Sequence, residues 1–182
     1  LGYSIEIYGP SVELLSLDDR ITISSMATEM GAIIILFPPS QAIIDYCEKR
    51  SNVKCTIVRS DTDAHYEKAF DIDVSEFKVM VSLPGEPHNT VDISTVYGTK
   101  IDSAFIGSCT NGRMNDLYKV AEILKNRKVA PGVVLKIVPA TDTIWKKCLD
   151  EGLIEIFKNA GALVSNAGCA GCAAGQVGQN GP

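Results

Sequence analysis

The sequence predicts an α/β fold, a three-layer α/β/α arrangement around a mostly parallel sheet, built as two α/β subdomains. Three observations predict it. From residue 101 onward, short apolar runs suited to strands (101–106, 133–138 and 162–164) alternate with helical stretches at 115–125 and within 143–159. Leu117, Val120, Ala121 and Leu124 form one apolar stripe at helical spacing, and Leu153, Ile156, Phe157 and Ala160 form another, so both helices have a sheet to cover. Strands joined through helices run parallel with right-handed crossovers, which gives a doubly wound unit.

The elements of the first half follow from local patterns. Tyr3, Ile5 and Ile7 alternate with Ser4 and Glu6, a half-buried strand that stops at the Gly9-Pro10 turn. Ser16 and Asp19 have the spacing of a capping box, and Ile23, Met26, Ala27 and Met30 recur at helical spacing up to Gly31, which is placed to end the helix in a left-handed cap. A strand over 33–37 ends at Pro38-Pro39, a short helix covers 41–49, and a strand over 53–58 completes a β-α-β alternation. Further strands are expected at 66–72 and 78–83. The run Pro84-Gly85-Glu86-Pro87-His88-Asn89 is the strongest punctuation, so a soft boundary is placed across 84–98, with subdomains 1–90 and 91–182. His88 and His65 read as surface histidines. Trp145 and the cysteines Cys47, Cys55 and Cys148 read as packing, since free cysteine is among the most buried residue types.

Composition narrows the function classes. The chain of 182 residues has 46% hydrophobic and 21% charged residues, an ordinary globular balance. A net charge of −5 and the lack of a Lys/Arg stripe argue against non-specific binding to nucleic acid or anionic membranes. Six cysteines are too sparse for a disulfide scaffold, and no signal-peptide pattern or bilayer-length apolar run occurs, so the expected compartment is cytoplasmic.

Chemistry concentrates at Gly168-Cys169-Ala170-Gly171-Cys172 and at Gly107-Ser108-Cys109-Thr110-Asn111. A C-x-x-C turn aims two thiolates at one centre, and the glycines let backbone N–H groups approach an anionic ligand. Three cysteines suit a four-iron cluster with one iron left open for substrate, an arrangement for Lewis-acid chemistry. On spacing alone, a metal site, a redox dithiol and structural thiols all remain open. Cys109 and Cys169 each fall just past the carboxyl end of an expected strand, so both loops are expected on one edge of the sheet.

The stretches IGSCTNGR (106–113), KVAPGV (128–133), EGLIEIF (151–157) and GCAGC (168–172) resemble the aconitase superfamily, and within it the large subunits of 3-isopropylmalate dehydratase, homoaconitase and dimethylmalate dehydratase. The resemblance runs nearly end to end. It implies an iron–sulfur domain in which Cys109, Cys169 and Cys172 hold a [4Fe-4S] cluster, whose open iron takes the hydroxyl and carboxylate of a small hydroxy acid. ITISSMATEMGA at 21–32 resembles the family segment whose glutamate reaches the water-bearing iron, which makes Glu29 the candidate catalytic residue. Ser24 and Ser25 stand where that family has Cys-Asn. The resemblance further implies a longer polypeptide, of which this chain is a middle portion inactive by itself, with an acid pair upstream, an asparagine-arginine segment downstream, and a partner small subunit carrying the swivel domain.

The implied function is a hydro-lyase of leucine biosynthesis that removes water from a small hydroxy di- or tricarboxylic acid and adds it back at the neighbouring carbon. Homoaconitase, dimethylmalate and citramalate dehydratases are alternatives that differ in one substituent of the acid. An RNA-binding regulator, known from the same superfamily, is disfavoured by the acidic balance. An electron-transfer iron–sulfur module would normally use a fourth cysteine, and a zinc module would lack sulfide-to-iron colour.

Overall fold

The computed structural model of the chain describes residues 2–170 and 177. The chain divides into two compact units, residues 1–97 and 98–182. The elements are α/β in both halves, with two parallel sheets and one antiparallel hairpin among the described residues.

In the first unit, β1 (Ser4–Glu6) leads through α1 (Pro10–Glu13) and α2 (Leu17–Ser25) to β2 (Ile34–Leu36), and the two strands pair in parallel with Ile5 opposite Ile35. The expected capping box is present. The Asp19 N–H donates to Ser16 Oγ at 3.2 Å, and the Ser16 N–H donates to Asp19 Oδ2 at 3.0 Å. The regular helix stops at Ser25, earlier than its apolar stripe suggests, because the Met26 and Ala27 N–H groups bond three residues back, to Ile23 and Ser24. The chain then makes one more turn and closes on Gly31 (φ 70°). The Gly31 N–H reaches the Thr28 carbonyl at 3.0 Å, and the Ala32 N–H reaches the Ala27 carbonyl at 2.9 Å. That is the expected left-handed cap, with both bonds of a Schellman motif.

Arg20 ties these elements together. The residue is 3% exposed, and its guanidinium donates to the carbonyls of Val12 (2.8 Å), Pro38 (2.9 Å) and Leu15 (3.3 Å), while lying 5.7 Å from the centre of the Phe37 ring. A buried cation without a carboxylate is tolerable here because charge-assisted bonds to carbonyls and the ring face replace its hydration.

After α3 (Gln41–Ser51) the sequence expectations need correction. Residues 53–58 and 66–72 form no strand; the next strands are β3 (Met80–Ser82) and β4 (Thr90–Asp92), paired antiparallel. The Pro/Gly run 84–89 is a hairpin loop, and the division falls at Tyr97/Gly98, inside the expected window of 84–98 but beyond β4, which a boundary at 90/91 would cut. Cys47 and Cys55 are exposed rather than packed. On α3 only Ile44 is buried, and residue 55 has no strand partner whose face it could enter. Glu48 instead captures the segment, taking the Lys54 ammonium at 2.6 Å and the Cys55 N–H at 3.0 Å, bonds that hold its carboxyl below the usual range.

The second unit holds β5 (Ser103–Gly107), α4 (Ser108–Asn111), α5 (Met114–Leu124), β6 (Val134–Val138), α6 (Asp142–Asp150), α7 (Leu153–Ala160) and β7 (Leu163–Val164). The sheet is fully parallel in the order β5-β6-β7. Leu117, Ile137, Cys148 and Phe157, each 0% exposed, form the centre of the core, joined by Leu135, Leu153 and Ala162. Truncating Phe157 to alanine in such a place costs about 3–5 kcal/mol. α7 ends on Gly161 (φ 95°), where the Ala162 N–H returns to the Phe157 carbonyl at 3.0 Å, a cap that turns the chain straight into β7.

The layering of this unit differs from a doubly wound sheet. A strand order that never reverses direction sends successive right-handed crossovers to the same face. α5, α6 and α7 accordingly share one core with Ala104, Ile106, Leu135, Ile137 and Val164. The other face carries the row Phe105, Lys136 and Leu163, in register across the three strands.

Candidate metal centre

The site stands at the carboxyl end of the β5-β6-β7 sheet. β5 finishes at Gly107 (φ 130°), where an added Cβ would lie 2.0 Å from the Val138 carbonyl oxygen. Gly112 is equally confined, its position for a Cβ being 2.5 Å from the same oxygen. Only glycine permits this approach, so the Ser108–Asn111 turn lies directly against the end of β6, held by the Ala140 N–H on the Gly112 carbonyl at 2.9 Å. Between the two glycines Ser108 takes φ 73°, a left-handed conformation rare for a residue with a side chain. The strain sits immediately before Cys109.

Cys169 arrives from the other side. After β7 the Ser165 N–H bonds the Ile137 carbonyl, and the Gly168 N–H bonds the Pro139 carbonyl, both at 3.1 Å, so the loop folds back over the end of β6. The indole N–H of Trp145, on α6, donates to the Ser165 carbonyl at 3.1 Å. Trp145 is therefore more than the packing residue its isolation in the sequence suggests.

The two loops bring Cys109 Sγ and Cys169 Sγ to 4.0 Å. A disulfide requires about 2.05 Å, whereas two thiolates bound at about 2.3 Å to one tetrahedral metal stand about 3.8 Å apart. Both residues are exposed, and their sulfurs are soft donors suited to zinc or iron–sulfur centres. The pair thus fits two thiolates on one metal ion, and a four-iron cluster, in which each cysteine takes its own iron, needs the same soft donors set further apart than they stand here. Cys172, the third expected ligand, lies outside the described residues. Cys148 is set apart from the pair: fully buried, it donates to the Met114 sulfur at 3.7 Å, and burial pushes its pKa up to about 11.

A depression of about 500 Å³ opens beside Cys169, lined by Thr141, Asp142, Trp145, Lys146, Asn166 and Gly168. Thr141 caps α6 there, accepting the Ile144 N–H at 3.3 Å, and Lys146 pairs with Asp142 at 2.7 Å. Neither the Trp145 tie nor the left-handed Ser108 is foreseeable from local pattern, because each depends on a partner far away in sequence. Glu29, the candidate catalytic carboxylate, is exposed on the turn after α2 in the first unit, with Ser25 exposed at the helix end. His65 is exposed, and His88 pairs with Glu86 at 2.9 Å on the hairpin loop.

The profile of the aconitase family (aconitate hydratase) matches residues 1–181. The chain belongs to the aconitase family. Aconitase-family proteins generally use an iron–sulfur cluster, in keeping with the soft donor set. This aconitase-family chain is 41% identical, over 97% of its length, to the probable 3-isopropylmalate dehydratase large subunit of Methanothermobacter thermautotrophicus, covering 42% of that protein. It is 45% identical over 96% of its length to the 3-isopropylmalate dehydratase large subunit of Halothermothrix orenii, and 43% identical over 96% to large subunit 1 of Pyrococcus abyssi, in each case covering 42% of the relative. The chain thus spans about two fifths of the length of the curated relatives it matches. Among the described residues, no helix of this aconitase-family chain is long and apolar enough to cross a membrane.

Proposed function

We propose that this chain is the cluster-binding portion of a 3-isopropylmalate dehydratase large subunit, a cytoplasmic hydro-lyase of leucine biosynthesis that works with a small subunit. The observation that supports the reading best is that the Cys109 and Cys169 loops meet on one sheet edge, in a chain similar to proteins of that name. Cys109, Cys169 and Cys172 are the proposed ligands of a [4Fe-4S] cluster. When bound, the cluster supplies an open Lewis-acid position that eases departure of a hydroxyl as water. The chain's own part is to hold the thiols. The glycine-lined turn fixes Cys109 against β6, and the Ser165–Gly168 segment brings Cys169 to it. Glu29 is proposed as the carboxylate that takes or holds a proton during water loss and return.

The test is anaerobic iron–sulfide reconstitution of the full-length protein, followed by an assay of isopropylmaleate hydration with its small subunit. Iron–sulfide absorption and hydration in the unsubstituted protein, both abolished in Cys109→Ser, are the expected result. Full colour in Cys109→Ser, or colour without hydration of this acid, counts against the reading.

A further inference from the structure

We propose that Trp145 is a positioning residue for Cys169: its indole N–H, held on the Ser165 carbonyl, fixes the exit from β7 and keeps the Cys169 thiol facing Cys109. The proposal deepens the reading of these thiols as metal ligands and rests on it for its functional meaning. The segment from Ser165 to Cys169 has no regular structure, and its backbone is tied down by the Ser165 and Gly168 N–H groups on the end of β6. Those bonds use the donors of the segment; the Trp145 bond uses an acceptor, the Ser165 carbonyl, and so fixes the orientation of the peptide plane between them.

The arm that makes this bond is itself rigid. Trp145 is half-buried on α6, three residues before Cys148, which is 0% exposed at the centre of the core, so α6 cannot shift without opening that core. The helix start is also fixed, by the Thr141 cap. Trp145 also lines the depression that Asn166 and Gly168 line, so the hydrogen bond to Ser165 stands at the wall of that depression. A buried indole N–H often does no more than satisfy itself. What distinguishes a positioning role is that loss of the N–H alone must loosen the pair of thiols.

The experiment uses the full-length protein with Trp145→Phe, and a second variant with benzothienylalanine at 145, which keeps the bicyclic shape and replaces the N–H by sulfur. In a Cys172→Ser background without metal, a short bis-thiosulfonate reagent bridges Cys109 to Cys169, and peptide mapping gives the rate. In the cysteine-complete protein, loss of iron–sulfide absorption to a chelator gives the residence time of the centre. Both variants are expected to slow bridging and shorten that residence time by about five- to tenfold, the effect of one partly buried hydrogen bond, with Cys148 still unreactive. If Trp145→Phe exposes Cys148, the benzothienylalanine protein decides. Unchanged bridging in that protein overturns the proposal. Absence of iron–sulfide colour in the unsubstituted protein would count against the metal-centre reading alone, and the bridging rates would still decide the role of Trp145.

Discussion

At the scale of single residues, the cysteines separate by environment. Cys109 and Cys169 are exposed, whereas Cys148 is enclosed and its thiol titrates near 11, above its ordinary value of 9.0. An alkylating reagent at pH 8 should label the first two in the metal-free protein within minutes and leave Cys148 intact until unfolding, as read by mass spectrometry. The raised pKa also sets a sign. The folded state keeps a proton that the unfolded chain has already released, so this contribution to stability is full below about pH 9 and is lost as pH rises through about 11. Urea titrations across that window should fall more steeply for the unsubstituted protein than for Cys148→Ala. Glu29 carries the corresponding prediction for chemistry. Glu29→Gln keeps shape and loses proton acceptance, so turnover of the reconstituted full-length enzyme should drop by about 10²–10⁴-fold while its iron–sulfide absorption stays the same. Undiminished turnover would remove Glu29 from the reaction.

At the scale of elements, the contact between the Ser108–Asn111 turn and the end of β6 is the most constrained feature. An alanine at 107 would place its methyl 2.0 Å from a backbone oxygen at a φ of 130°, so the turn must lift off β6. Gly107→Ala should destabilise the protein by about 2–4 kcal/mol and separate the two thiols. Denaturant unfolding together with the Cys109–Cys169 bridging rate would reveal both effects, and an unshifted midpoint would refute the first. Much of this half was legible in the sequence, because Leu117, Ala121, Leu153 and Phe157 repeat at helical spacing and all enter one core. The first half was less so. Val53, Cys55 and Ile57 alternate like a strand, yet alternation carries no information about whether a neighbour exists to pair with, and none does among the described residues. Likewise the Pro/Gly run at 84–89 signals a turn without telling a hairpin loop from a boundary. The meeting of the Cys109 and Cys169 loops was anticipated from their places after strand ends, while the Trp145 tie was not, since hydrogen bonds between distant segments leave no local pattern.

At the scale of the whole molecule, the described residues are unevenly ordered into elements. Between Ser51 and Met80 lies a long exposed stretch with no helix or strand, crossed by a few side-chain bonds such as Ser60 Oγ to Glu6 at 3.2 Å. Limited proteolysis of the full-length protein should cut first within 53–79 and leave the β5–β7 unit uncut, as read by mass mapping. Early cleavage inside 103–164 would contradict the core assigned to that unit. The two facing thiols have a mechanical consequence as well. They stand sixty positions apart along the chain, and the interval encloses β6, β7 and the three helices of the core. A centre that binds both would close that loop as a staple does, and loops of this length lose about 4 kcal/mol of denatured-state freedom when closed. Supply of the metal would then govern how long the polypeptide survives as well as whether it reacts, and oxidative loss of the centre would register first as accelerated unfolding and turnover of the protein itself.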